Sequence, residues 1–152
     1  MAQFTNQAQL SYNNVVVNSN VVVGEILEVV TGDKTAVVDT YYADGTVTYV
    51  ISIVNTGTTA ITGLTVTDDL GAYVLGANTL TPLTYVPGSV RLFINGVLQT
   101  APTTLAGPPL VVSGINLPAD SDLVLVYSAA VNDYAPLGTA DSIVNTATIT
   151  GN

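Results

Sequence analysis

Over most of its length this chain repeats with a period of two. Tyr49, Ile51 and Ile53 alternate with Val50, Ser52 and Val54, and Asn55-Thr56-Gly57 ends the run. Ile61 to Thr67 repeats the theme and closes at Asp68-Asp69; Leu123 to Val131 and Ile143 to Thr150 alternate again. Successive side chains of an extended strand point to opposite faces, so this pattern describes strands with one buried face. Arg91 to Ile94 and Val97 to Gln99 flank Asn95-Gly96, a pair that tolerates positive φ and marks a tight hairpin. Leu110 to Ile115 follows two prolines. Between Thr35 and Asn152 the spacing predicts about seven or eight short strands with a turn signal every eight to twelve residues, the pattern of an antiparallel β-sandwich. Leu75 to Thr84 and Thr100 to Pro109 are the expected crossings between sheets. Helical spacing occurs nowhere.

Composition narrows the chemistry. The 152 residues suffice for one domain with a real core, and 48% are hydrophobic against 9% charged, so the chain should fold. Net charge is −9 with two basic residues, Lys34 and Arg91. Two cations cannot form a patch that neutralises phosphates, so neither nucleic acid nor an anionic membrane surface is an expected partner. Cysteine and histidine are absent, which excludes disulfides, thiol chemistry and histidine general-base catalysis. No apolar run is long enough for a membrane-spanning helix. Met1 to Leu10 has neither the basic region nor the apolar core of a signal peptide. Arrival at a surface would then need a leader outside this sequence or release by mother-cell lysis.

The first thirty residues differ from the rest. Phe4 to Val17 reads as one strand and Val21 to Val30 as another, separated by Asn18-Ser19-Asn20. Phe4 to Ser11 also echoes Ile143 to Thr150, so the chain opens with what looks like a copy of its own last strand. The expected organisation is a β-strand arm over residues 1–31, acting as donor strand and linker, followed by a sandwich over residues 32–152. The arm's candidate contacts with a neighbour are Phe4, Asn6, Ala8, Leu10, Tyr12, Val15, Val16, Val17, Val21, Val22 and Val23.

Five motifs in order carry a resemblance: Lys34-Thr35-Ala36; Thr48-Tyr49 through Asn55-Thr56-Gly57; Leu64 to Leu70; Leu83 to Val90; and Val144 to Thr148. Over Lys34 to Gly151 the chain resembles the immunoglobulin-like repeat known as domain of unknown function eleven, found in tandem in bacterial and archaeal surface proteins. The resemblance implies an immunoglobulin-like sandwich at a cell or spore surface and implies no catalytic residues. In tandem members a segment like Phe4 to Val30 is the last strand of one repeat plus the linker to the next; here it is expected to stand without an upstream repeat of its own.

These features predict a structural, non-enzymatic protein without a cofactor. The leading reading is a subunit of a pilus-like extracellular filament, a head-to-tail homopolymer built by adding the arm to a neighbouring copy, since such a contact propagates without closing. The alternatives are a monomeric spacer or stalk, or an adhesive module in which Tyr41, Tyr42, Tyr73, Tyr85 and Tyr134 stack on glycans; the tyrosines read better as core edges and sheet corners. Asp68 and Asp69 are adjacent on a strand and cannot flank one glycosidic bond; ending the strand and capping its turn is their expected task.

Two site hypotheses accompany that reading. Lys34, near the first strand, could form an intramolecular isopeptide with Asn145 on the last, assisted by Asp68, provided an apolar interior yields a neutral amine and a protonated acid. The plainer expectation places Lys34 in a turn after Gly32-Asp33 as a solvated charge, with Asn145 bonded to backbone. For calcium, Asp39, Asp44, Asp120, Asp122 and Asp133 lie in predicted loops, with Asp120 and Asp122 the best local pair, but no calcium-loop spacing is present and the plainer expectation is no metal.

Overall fold

A computed structural model describes residues 2–12, 15–26, 29–138 and 141–151. The side chains of residues 2–4, 10, 12 and 22–26 are outside that description, so the candidate arm contacts at Phe4, Leu10, Tyr12, Val22 and Val23 lie outside the described residues at side-chain level. The described residues are all-β. The arm holds β1 (Ala2–Asn6), β2 (Gln9–Tyr12), β3 (Val15–Asn18) and β4 (Val22–Ile26). Then come β5 (Val30–Ala36), β6 (Thr46–Asn55), β7 (Ile61–Asp68), β8 (Tyr73–Leu75), β9 (Asn78–Leu80) and β10 (Leu83–Tyr85). The rest are β11 (Arg91–Ile94), β12 (Val97–Leu98), β13 (Thr103–Leu105), β14 (Leu110–Leu117), β15 (Ser121–Val131) and β16 (Ala147–Thr150).

Ten of these strands form an immunoglobulin-like antiparallel sandwich. One sheet runs β12-β11-β15-β6-β5, with β10 also on β15; the other runs β13-β14-β7-β16. The alternation seen in the sequence becomes the core. Ile51 and Ile53 of β6 and Leu123 and Leu125 of β15 face Leu64 and Val66 of β7 and Leu110, Val112 and Leu117 of β14, all essentially inaccessible to water. Full burial of such side chains contributes about 1.5–3 kcal/mol each. The β6–β15 pair, in register from Ser121 opposite Asn55 to Ala130 opposite Thr46, is the spine of the larger sheet.

Turn chemistry acts where expected. Asn95 and Gly96 both take positive φ, 49° and 74°, and join β11 to β12. Chain between β7 and β10 passes from the smaller sheet to the larger, and chain between β12 and β13 passes back. Each expected crossing also contains a short strand, β9 or β13, whose few residues give no readable alternation. Asn55 is 1% exposed and anchors the corner after β6: its Nδ2 donates to the carbonyls of Thr59 and Pro118, and its Oδ1 accepts from Gly57 N–H.

The arm differs from its expected form. Phe4 to Val17 is not one strand. Tyr12 pairs with Val15, so the chain reverses between them, and β2–β3 and β1–β4 form one antiparallel ribbon. The asparagines at 18 and 20 fall within its returning side, where Ser19 N–H donates to Ala8 C=O. Two apolar runs joined by a short polar link hairpin more readily than they stay extended, because each then satisfies the other's backbone groups. Val15, Val16 and Val17 are 60%, 54% and 57% exposed, so both faces of this ribbon are open. The expected boundary at 31/32 falls inside β5, which pairs with β6 from Val30 onward.

Candidate cross-linking site

The larger sheet ends at β5 and the smaller at β16, and these edges face each other across the sandwich. Gly32 lies opposite Ile53 and so faces inward; a Cβ there would sit 2.9 Å from Ile149 Cδ1 of β16. Lys34, two residues on, is opposite the fully buried Ile51. Directly opposed residues of an antiparallel pair share a face, so Lys34 also points inward. It therefore lies on a strand and not in a turn, and its side chain is only 13% exposed, which corrects the expectation of a solvated charge.

Its partner is Asp68. Along β7 the inward positions run Leu64, Val66, Asp68, so the core pattern places a carboxylate where another hydrophobe would fit, and Asp68 is 1% exposed. Asp68 Oδ2 accepts from Lys34 Nζ at 2.6 Å and from Tyr127 Oη at 2.6 Å. Its Oδ1 accepts from Leu70 N–H at 3.0 Å, the expected cap of the turn that ends the strand. Tyr127, on β15, is opposite Tyr49 of β6; their rings stack at 5.4 Å, and Lys34 Nζ lies 5.0 Å from the centroid of the Tyr49 ring.

Asn145 completes the group from the approach to β16. Its Nδ2 donates to Tyr127 Oη at 3.1 Å, and its Oδ1 accepts from Gly71 N–H at 3.1 Å. Asp69 holds this approach in place: its Oδ1 accepts from Thr146 N–H and Gly71 N–H, while its own N–H donates to Thr146 C=O. Leu70 and Gly71 both take positive φ, 55° and 73°. For leucine that is a strained conformation, held by burial of its side chain and by the Asp68 cap, and it aims the Gly71 N–H at Asn145. The expectation that Asn145 bonds backbone covers its oxygen; its nitrogen donates to Tyr127.

Electrostatics follow from burial. Desolvation lowers the Lys34 pKa from the ordinary 10.5, opposed by hydrogen bonding and attraction to Asp68 and by the Asp69 charge. Burial raises the Tyr127 and Tyr49 hydroxyls, and the neighbouring Asp68 charge raises both further, so both stay protonated donors. An amine whose charge is disfavoured, a buried acid and a carboxamide thus share one hydrogen-bonded cluster, the set required for amide exchange with release of ammonia. An open groove of about 730 Å³ runs past Lys34 and Asn145 and gives ammonia a way out.

The sequence named Lys34, Asp68 and Asn145, and the structure brings all three together. It did not name Tyr127 or Gly71. Tyr127 was visible as the one hydroxyl in the inward series Leu123, Leu125, Tyr127, Ala129, a residue that needs a buried partner. The role of Gly71 depends on a turn carrying two positive φ values and had no local signal. The calcium candidates do not converge: Asp120 is in the turn into β15 and Asp122 within that strand, and Asp120 N–H donates to Gly57 C=O and Asp122 N–H to Asn95 Oδ1. Among the described residues no three acidic side chains cluster as a metal site would require. Of the five tyrosines, Tyr85 is buried, Tyr73 Oη donates to Tyr134 C=O, and Tyr42 is 74% exposed.

No protein-family model and no curated protein matches the chain. Solved structures do. The pilus backbone protein RrgB of Streptococcus pneumoniae superposes with a TM-score of 0.60 at 16% identity, over 80% of this chain and 31% of that one. Its full-length structure gives 0.58 at 12% identity, over 96% and 28%. The chain thus spans less than a third of the length of the pilus protein it matches. The likeness is one of fold: an all-β, immunoglobulin-like sandwich.

Proposed function

We propose that this chain is a load-bearing structural module of an extracellular, pilus-like surface fibre, without enzyme turnover, whose sandwich is closed by an amide between Lys34 and Asn145. The observation that carries this reading is the convergence of the two side chains, from the first strand of the sandwich and the approach to its last, on the Asp68–Tyr127 pair. Tension entering ahead of β5 and leaving after β16 pulls on two edge strands in different sheets, which hydrogen bonds alone would release one after another. A covalent link from Lys34 to Asn145 diverts that tension past the core. The likeness to a pilus backbone fold and the five-motif resemblance to surface-protein repeats support the same setting. Intact mass spectrometry of the purified chain tests it: the expected mass is one ammonia below that of the sequence, with a Lys34–Asn145 linked peptide after digestion. A full-mass chain removes the cross-link.

Self-assembly through the arm is a second element of the proposal, with a second copy as the partner. Residues 1–24 contain no charged side chain in a molecule of net charge −9, and neither do residues 92–119, which supply the free edges β12 and β13. Val97, Leu98 and Leu105 are exposed on those edges, as Val15, Val16 and Val17 are on the arm. Copies that repel elsewhere can approach along these two neutral segments, and an open ribbon edge can extend an open sheet edge. Negative-stain microscopy and sedimentation of the wild type against a Val15→Lys, Val17→Lys variant test this. Fibres lost with the variant support the arm as the joint; a wild type that stays monomeric at high concentration, or fibres that persist in the variant, remove it.

A further inference from the structure

Asp68 touches the nucleophile but has no direct contact with the departing nitrogen. Its Oδ2 is 2.6 Å from Lys34 Nζ, whereas Asn145 Nδ2 is 3.1 Å from Tyr127 Oη, which is in turn 2.6 Å from the same Oδ2. The Tyr127 hydroxyl meets both the acid and the leaving group within hydrogen-bond distance. We infer that Tyr127 is a catalytic residue of the cross-linking reaction, relaying a proton from Asp68 to the amide nitrogen of Asn145, while the Gly71 N–H binds the oxygen. This rests on the proposed Lys34–Asn145 bond.

The step balances within the cluster. Lys34 ammonium gives one proton to Asp68, leaving a neutral amine and a carboxylic acid. The amine lone pair forms a bond to Asn145 Cγ, and the carbonyl electrons move onto Oδ1, where Gly71 N–H already donates. Asp68 then passes its proton to the Tyr127 oxygen as Tyr127 passes its own to Nδ2. The Asp68 carboxylate takes a proton from the attacking nitrogen, the Cγ–Nδ2 bond breaks, and ammonia leaves. Ammonium, carboxylate and carboxamide have become a secondary amide, ammonia and a protonated Asp68, with Tyr127 restored and no oxidant or co-reactant consumed. A hydroxyl suits the relay because it donates and accepts at once, and burial keeps it protonated.

The test follows the loss of ammonia in the full-length chain during cell-free synthesis, by acid quenching and intact mass at successive times. Tyr127→Phe keeps the ring stack on Tyr49 and removes only the hydroxyl. Loss of a positioned proton donor slows such steps by about 10²–10⁴-fold, so linked chain should appear at least about a hundredfold more slowly than in the wild type. Fluorotyrosine installed at 127 retains the shape and changes the acidity of the hydroxyl; a shifted rate is expected, and this variant decides the matter if Tyr127→Phe does not fold. The fold is checked separately by comparing Asn145→Ala with Tyr127→Phe/Asn145→Ala, neither of which can cross-link. A wild type at full mass eliminates bond and relay together. A cross-linked wild type, with both Tyr127 variants linking at the wild-type rate, eliminates the relay alone.

Discussion

Removing either end of the proposed bond should destabilise the sandwich by an amount set by loop length. The link from Lys34 to Asn145 encloses about 110 residues of a 152-residue chain. In the chain-entropy treatment of cross-links, a loop of that length restricts the unfolded ensemble by about 5 kcal/mol at 25 °C. Asn145→Ala also removes two hydrogen bonds, to Tyr127 and from Gly71, at about 1 kcal/mol each. The total, about 7 kcal/mol, corresponds to a melting temperature lower by roughly 14–28 °C in a chain of this size. Lys34→Met keeps the stem of the side chain and loses the amine. The discriminating quantity is the coupling between the two positions. With a covalent bond, either substitution forfeits the whole loop term and the double variant forfeits it only once, giving a coupling near 5 kcal/mol. Without a bond the two residues communicate only through Asp68 and Tyr127, and the coupling should be about 1 kcal/mol or less. Urea unfolding of the four proteins, each with its intact mass recorded, measures this. Additive effects would refute the loop-closure reasoning even if both single variants were unstable.

Other outcomes follow from the same structure. Asp68→Asn should yield a folded chain of full mass, because the amide cannot take up and return the proton that the amine must lose; mass spectrometry reads this directly. The rate of bond formation should be level with pH while Lys34 and Asp68 share one proton, and should fall once that proton is lost, at a pH below 10.5, the ordinary lysine value, because burial lowers the Lys34 pKa; Asp68 and Asp69, which face it, oppose that shift. A rate that keeps rising through 10.5 in quenched time courses would contradict this. Asn55→Ala should destabilise by about 2–3 kcal/mol, measured by urea unfolding, since it strands the carbonyls of Thr59 and Pro118 and the Gly57 N–H at a buried corner.

The sandwich was legible because its signal is local. Period-two alternation over β6, β7, β14 and β15 and the Asn95-Gly96 turn each determine structure within a few residues. Lys34, Asp68 and Asn145 were legible as reactive types near the first strand, between, and near the last. What could not be read was register. Whether Lys34 faces in or out depends on its pairing with Ile51, and a slip of one residue would turn it to solvent. Tyr127 and Gly71 were missed for a related reason: their roles arise where β15, the turn after β7 and the approach to β16 meet, segments far apart in sequence. The arm was misjudged because its two halves alternate equally well as one long strand or as a ribbon, and only the Tyr12–Val15 reversal decides.

The topology has one further consequence. With Lys34 joined to Asn145, everything from β5 to the approach to β16 becomes a closed ring, and the exposed links at Tyr42 and around Gly76 lie on its circumference. A single protease cut at such a link opens the ring without dividing the polymer, since both new ends remain tied through the amide. A nicked chain should still migrate as one species on a denaturing gel, and a second cut in the ring would release only the piece between the cuts, leaving the two tails joined. In the proposed fibre, if each link is one molecule wide, tension would pass through the amide whatever the ring between Lys34 and Asn145 has lost.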